Sequence, residues 1–138
     1  MNRMKKFSRD AFTLVEIMLV VIIIGALAAM IIPRFAGRGE EAKVKVAKTD
    51  IDANIATALK LYELDNGSFP TTEQGLQALL VKPATNPIPE NWNGPYIEKE
   101  PLDPWGHPYI YVSPGVHRPD YDLSSKGNNG TSEISNWQ

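Results

Sequence analysis

The chain divides by its pattern of apolar and polar positions. Phe12 to Ile32, FTLVEIMLVVIIIGALAAMII, is apolar for 21 residues and carries one ionisable side chain, Glu16. At about 1.5 Å of rise per residue, a helix of that length matches a hydrocarbon core of roughly 30 Å, which predicts a transmembrane span over residues 12–33. From Glu40 the pattern becomes amphipathic. Val44, Ala47, Ile51, Ile55, Ala58 and Tyr62 recur at steps of three and four, with Lys43, Lys45, Lys48, Asp50, Asp52 and Lys60 mostly elsewhere. This predicts a helix over about residues 40–64, part of an amphipathic half covering 34–64. Between the two halves Pro33 lacks an N–H and clashes with the carbonyl four residues back, so a kink or loosening is expected there, with Gly37 and Gly39 weakening the next turns. Leu64-Asp65-Asn66-Gly67 offers a left-handed C-cap, and Pro70 forbids continuation.

The remaining stretch, residues 65–138, reads as a small globular head. Thr71-Thr72-Glu73-Gln74 places a hydroxyl N-cap ahead of a short helix near Gly75–Val81, stopped by Pro83. The segment from Pro83 to Pro104 holds six of the eleven prolines and predicts an ordered loop with little regular structure, pinned by Trp92 and Tyr96. Asp103-Pro104-Trp105-Gly106 has tight-turn composition, and 107–112 is the best strand candidate. A second strand is expected near 121–125 and a weak third near 134–137. The fold class is α+β: a long N-terminal helix with a small antiparallel sheet laid on it.

Charge orients this picture. Arg3, Lys5, Lys6 and Arg9 against Asp10 make residues 1–11 basic, and positive flanks stay cytoplasmic, so the head is expected across the membrane. Loss of that leader, with its surplus of three positive charges, takes the formal net charge from −2 to −5. An acidic chain without a basic run argues against nucleic acid. There are no cysteines, so the head is held by packing, a metal or its neighbours. Lys43, Lys45 and Lys48 read as a solvated helix face rather than a lipid site.

Glu16 is the residue this pattern does not explain. A carboxylate at the centre of a membrane helix costs about 2.5–3.5 kcal/mol, and one anywhere in the apolar run calls for a positive partner. Phe12, Thr13, Leu19 and Val20, at helical spacing, offer none, and no basic residue follows until Arg34. A cut before Phe12 supplies an α-amino group, on the same chain or on a neighbour packed with a one-step offset. A secretory signal peptide cut after Ala26-Leu27-Ala28 is the competing explanation. The apolar run continues past that site to Ile32, and a disposable segment has no need of Glu16.

The residues FTLVEI after a short basic leader resemble the processing site of type IV prepilins and type II secretion pseudopilins. That resemblance implies cleavage between Ala11 and Phe12 by a prepilin peptidase, N-methylation of Phe12, and pairing of Glu16 with a neighbour's N-terminus during assembly. The family has Gly where this chain has Ala11. Further along, PTTEQGLQAL (70–79), NWNGPY (91–96), PLDPWGHPY (101–109) and YDLSSKG (121–127) are similar to the major pseudopilins of type II secretion. The implied protein is a type IV pilin-like, single-pass inner-membrane subunit with a periplasmic C-terminal head. It polymerises with itself into a periplasmic pseudopilus that helps drive folded exoproteins through the outer membrane. Its implied partners are minor pseudopilins, an inner-membrane assembly platform and the membrane itself. Alternatives are a type IV pilin, a minor pseudopilin, or a signal-anchored periplasmic binding domain.

The same resemblance implies a calcium ion in the C-terminal loop, held by the backbone carbonyls of Lys126, Thr131 and Ser135 and by side-chain oxygens of Asn129 and Glu133. Calcium takes six to eight oxygens. The family usually has Asp at both side-chain positions and a longer loop; the metal-free alternative is a Gly/Asn turn closed by Trp137 packing on the head. An enzyme is not expected. His107 and His117 lie in Pro-rich turns with no G-x-S-x-G, H-E-x-x-H or cysteine nucleophile.

Overall fold

The computed structural model describes residues 11–138, and of residues 32–36 the backbone alone. Two compact units divide between Gly39 and Glu40. Helix α1, Leu14–Thr49, begins in the first of them. Its stretch Leu14–Ile31 has a mean hydropathy of 2.9 and none of it is buried within the protein, so it is long and apolar enough to cross a membrane. Pro33 lies within it, with helical backbone on both sides. A proline deletes one hydrogen bond of the ladder, and the turns on either side maintain the rest.

The departure from α-helical spacing falls instead at Asp50–Asn54, five residues of π-helix, before α2 resumes over Ile55–Asn66. Asp50 is occupied on both carboxylate oxygens: Asn54 Nδ2 donates to Oδ1 at 2.7 Å and the Tyr109 hydroxyl to Oδ2 at 2.9 Å. Helix α2 ends two residues beyond the expected position, with Gly67 at φ +81° donating its N–H to the Glu63 carbonyl. This is the left-handed C-cap that the Asn-Gly pair predicts.

In the second unit Ala47, Ile51, Ile55, Ala58, Leu59 and Tyr62 form the buried helical stripe. Val44, expected to begin it, is 37% exposed. Tyr109, Tyr111, Tyr121, Leu123 and Ile134 meet the stripe from the sheet, and Ala78 and Leu79 close one side. The sheet is antiparallel in the order β1 (Ile110–Val112), β2 (Asp122–Ser125), β3 (Ile134–Ser135). Tyr111 pairs with Leu123, and Ser124 with Ser135. Alternation along β1 and β2 puts Tyr111 and Leu123 on the core side.

Between α2 and the sheet, Thr71 and Gln74 form a reciprocal cap. Thr71 Oγ1 accepts from the Gln74 N–H at 3.2 Å and Gln74 Oε1 accepts from the Thr71 N–H at 3.1 Å. The turn that follows, Leu76–Leu79, is 3₁₀ rather than α, and starts from Gly75 at φ +59°. Gln74 also donates to the Thr85 and Pro87 carbonyls, both at 2.9 Å. Trp92 Nε1 donates to the Ala78 carbonyl at 2.8 Å and the Tyr96 hydroxyl to Asp65 at 2.7 Å, so the proline-rich loop is pinned by the two expected aromatics. The turn at Asp103–Gly106 forms around Asp103, which accepts from the Trp105 and His107 N–H groups and from Ser125 Oγ.

Candidate functional site

The N-terminal candidates lie in the first unit. Ala11, Phe12 and Thr13 precede α1, and Phe12 is 75% exposed. The leader residues 1–10 lie outside the described residues. Thr13 Oγ1 accepts the Glu16 N–H at 3.2 Å, so Thr13 caps α1 and Glu16 stands in its first turn. The sequence signal for this is Thr13-x-x-Glu16, a capping-box spacing. A carboxylate in the first turn is stabilised by the N-terminal end of the helix dipole, while its side chain stays exposed and open to a partner from another chain.

The C-terminal loop lies in the second unit. Its two ends touch at Gly127, φ +66°, where a Cβ would meet the Ser132 carbonyl. The Gly127 N–H donates to Ser125 Oγ at 3.1 Å, and Asn128–Gly130 forms a 3₁₀ turn with Asn129 left-handed at φ 58°. The set expected to hold calcium has one carboxylate, Glu133, beside the Asn129 amide and three backbone carbonyls. Glu133 lines a shallow hollow with Val116, His117 and Trp137, and none of the other four lines it. The Ser135 carbonyl already accepts from Lys48 Nζ at 2.8 Å. Among the described residues no group of three His, Asp or Glu side chains is placed to hold a metal. Ser135 Oγ is buried without a hydrogen-bond partner, but it is a neutral oxygen and adds no charge to the set. One carboxylate, one neutral amide and a carbonyl already bonded to an ammonium are a poor match for a doubly charged ion.

Lys48 therefore departs from the solvated face expected of it. Lys43 pairs with Glu40 at 3.7 Å on the exposed face, whereas Lys48 reaches the β3 backbone and lies 3.4 Å from Asp52.

The tail is fixed by a second hub. Asp122, buried on β2, accepts from the N–H groups of Val116 at 2.8 Å, His117 at 2.9 Å and Arg118 at 3.0 Å, and lies 2.9 Å from His117 Nδ1. Burial alone would raise its pKa; the His117 N–H and ring and the Val116 and Arg118 N–H groups outweigh that and hold it at about 2. The His117 ring stacks on Trp137, centroids 4.2 Å apart and 6° from parallel. Asn136 donates to the Tyr121 carbonyl and accepts from the Leu123 N–H, extending the strand pairing with its side chain. The His117 ring is thus tied into the tail between Asp122 and Trp137.

The comparisons bear on the whole of this architecture. The family described as type II secretion system (T2SS), protein G, matches residues 34–137. The chain belongs to that family. Among curated relatives, type II secretion system core protein G of Pseudomonas aeruginosa is 49% identical, covering 97% of this chain and 99% of the relative. The Vibrio cholerae protein of the same name is 44% identical over 99% and 96%. Among solved structures, the major pseudopilin from the type 2 secretion system of enterohaemorrhagic Escherichia coli superposes with a TM-score of 0.67 at 37% identity. That match covers 73% of this chain and 87% of that one. The protein G family thus accounts for the long helix with a small antiparallel sheet, the type IV pilin-like fold expected from the sequence.

Proposed function

We propose that the chain is a major pseudopilin: a structural, non-catalytic subunit that polymerises into the periplasmic pseudopilus of type II secretion and helps drive folded exoproteins through the outer membrane. One observation carries the reading. In a member of the protein G family, Leu14–Ile31 is a helix whose apolar side chains have no cover within the protein. Such a surface needs lipid before assembly and other copies of itself afterwards.

The basic flank supports a single-pass inner-membrane subunit with its C-terminal head in the periplasm. Exposed Ala11 and Phe12 at the entrance of α1 suit cleavage between them by a prepilin peptidase, followed by N-methylation of Phe12. The amine then pairs with Glu16 of a neighbouring subunit, and Pro33 lets the helix adjust as it leaves the bilayer. Minor pseudopilins and an inner-membrane assembly platform complete the set of partners. Intact mass of the chain recovered from membranes tests the processing: loss of residues 1–11 with one added methyl is expected. An uncut chain, or a cut after Ala28, would overturn it.

A further inference from the structure

We propose that the Lys48 ammonium, rather than a divalent cation, is the charge that holds the C-terminal loop of this chain. Lys48 follows Ala47, the first fully buried residue of the helical stripe, so its stem runs along the edge of the core while its head reaches β3. Its Nζ lies 2.8 Å from the Ser135 carbonyl and 3.4 Å from Asp52, which leaves the charge both a backbone acceptor and a counter-ion.

An ammonium and a calcium ion would compete at this carbonyl. A calcium ion about 2.4 Å from Ser135 O would stand no more than about 5 Å from the ammonium, close enough for the two like charges to repel. Nor is a metal needed to close the loop. The backbone at Gly127 runs so near the Ser132 carbonyl that a Cβ would strike it, Asn136 is bonded to Tyr121 O and Leu123 N, and Trp137 is stacked on His117. The lysine supplies one positive charge where the loop supplies one carboxylate, Glu133, so the charge count that calcium affinity depends on is missing.

The test uses the full chain in detergent micelles and stands apart from polymerisation. A ligand that binds the folded state raises the melting midpoint by mass action, so the wild type is expected to melt at the same temperature in millimolar calcium chloride and in EDTA. Lys48→Met, which removes a charged donor from a carbonyl, is expected to lower the midpoint by about 5 °C and to speed amide exchange across residues 126–136. Lys48→Arg, which keeps a cationic donor, should retain most of that protection. Asp52→Asn, which removes only the counter-ion, should leave the loop protected. If Lys48→Met fails to fold, the wild-type calcium arm and Lys48→Arg still decide. A midpoint that rises with calcium and falls with EDTA would overturn the proposal. So would loop exchange in Lys48→Met equal to that of the wild type, or a loss of protection in Asp52→Asn as large as that in Lys48→Met.

Discussion

The Tyr109 hydroxyl donates to the Asp50 carboxylate at 2.9 Å, across 59 positions of sequence, and it does so where the long helix widens from α to π spacing. π turns arise where a helix must accommodate a tertiary demand, and here the demand is visible. Burial first, and then the bond to Asp50, raise the tyrosine pKa far above its ordinary value, so the phenol stays protonated and donating throughout the accessible pH range. Tyr109→Phe should cost the head about 1.5–3 kcal/mol, the range for a hydrogen bond to a charged group. Urea unfolding of wild type and variant measures it; an unchanged midpoint would show the π turn to be independent of this bond.

Gln74 is the clamp of the proline-rich loop. Its amide holds the Thr85 and Pro87 carbonyls while its oxygen caps Thr71. Gln74→Ala leaves these groups without partners and should destabilise by about 1–3 kcal/mol. Gln74→Glu should restore the cap alone, since a carboxylate accepts from Thr71 N–H but cannot donate to the two carbonyls. Thermal melting of the pair separates the two roles.

Asp122 sets a pH dependence. Its pKa is held at about 2 in the fold, below the ordinary carboxylate value, so between about pH 4 and pH 2 the unfolded chain binds the extra proton. The stability it contributes is therefore complete above about pH 4 and is lost as pH falls through about 2. Melting midpoints measured from pH 5 down to pH 2 should fall for the wild type in that window, and more shallowly for Asp122→Asn. Parallel curves would place the acid sensitivity elsewhere.

Local chemistry is what the sequence made legible. Asn66-Gly67 requires a left-handed cap and Asp103-x-x-Gly106 a turn, and each acts within a few residues of itself. The apolar run and the amphipathic period are equally local, and so was the hydroxyl N-cap near Thr71, although the return bond from Gln74 and the 3₁₀ continuation were not. What stayed hidden depends on partners far along the chain. Asp50 looked like one more solvated acid until Tyr109 reached it, and Lys48 like one more solvated base until Ser135, 87 positions on, accepted from it. Asp122 gave no signal either, because its four donors come from a turn whose shape depends on Gly115, where a Cβ would strike the Arg118 carbonyl. Loop oxygens can be counted in the sequence; the ammonium that reaches Ser135 from the helix cannot.

The central claim is that the chain polymerises through its N-terminal helix, with Glu16 as the charge that a neighbour's amine must meet. Glu16 already stands in the first turn of α1, its N–H held by Thr13, so a purely structural role would be served by any residue that accepts this geometry. The direct measurement is electron microscopy of filaments sheared from cells that overproduce the chain with the rest of its secretion apparatus, beside immunoblots of the membrane fraction. Wild type should give filaments that contain the chain. Glu16→Gln and Glu16→Ala should insert in the membrane and be cut before Phe12, yet give few or none. Filaments from either variant in wild-type amounts would contradict the account.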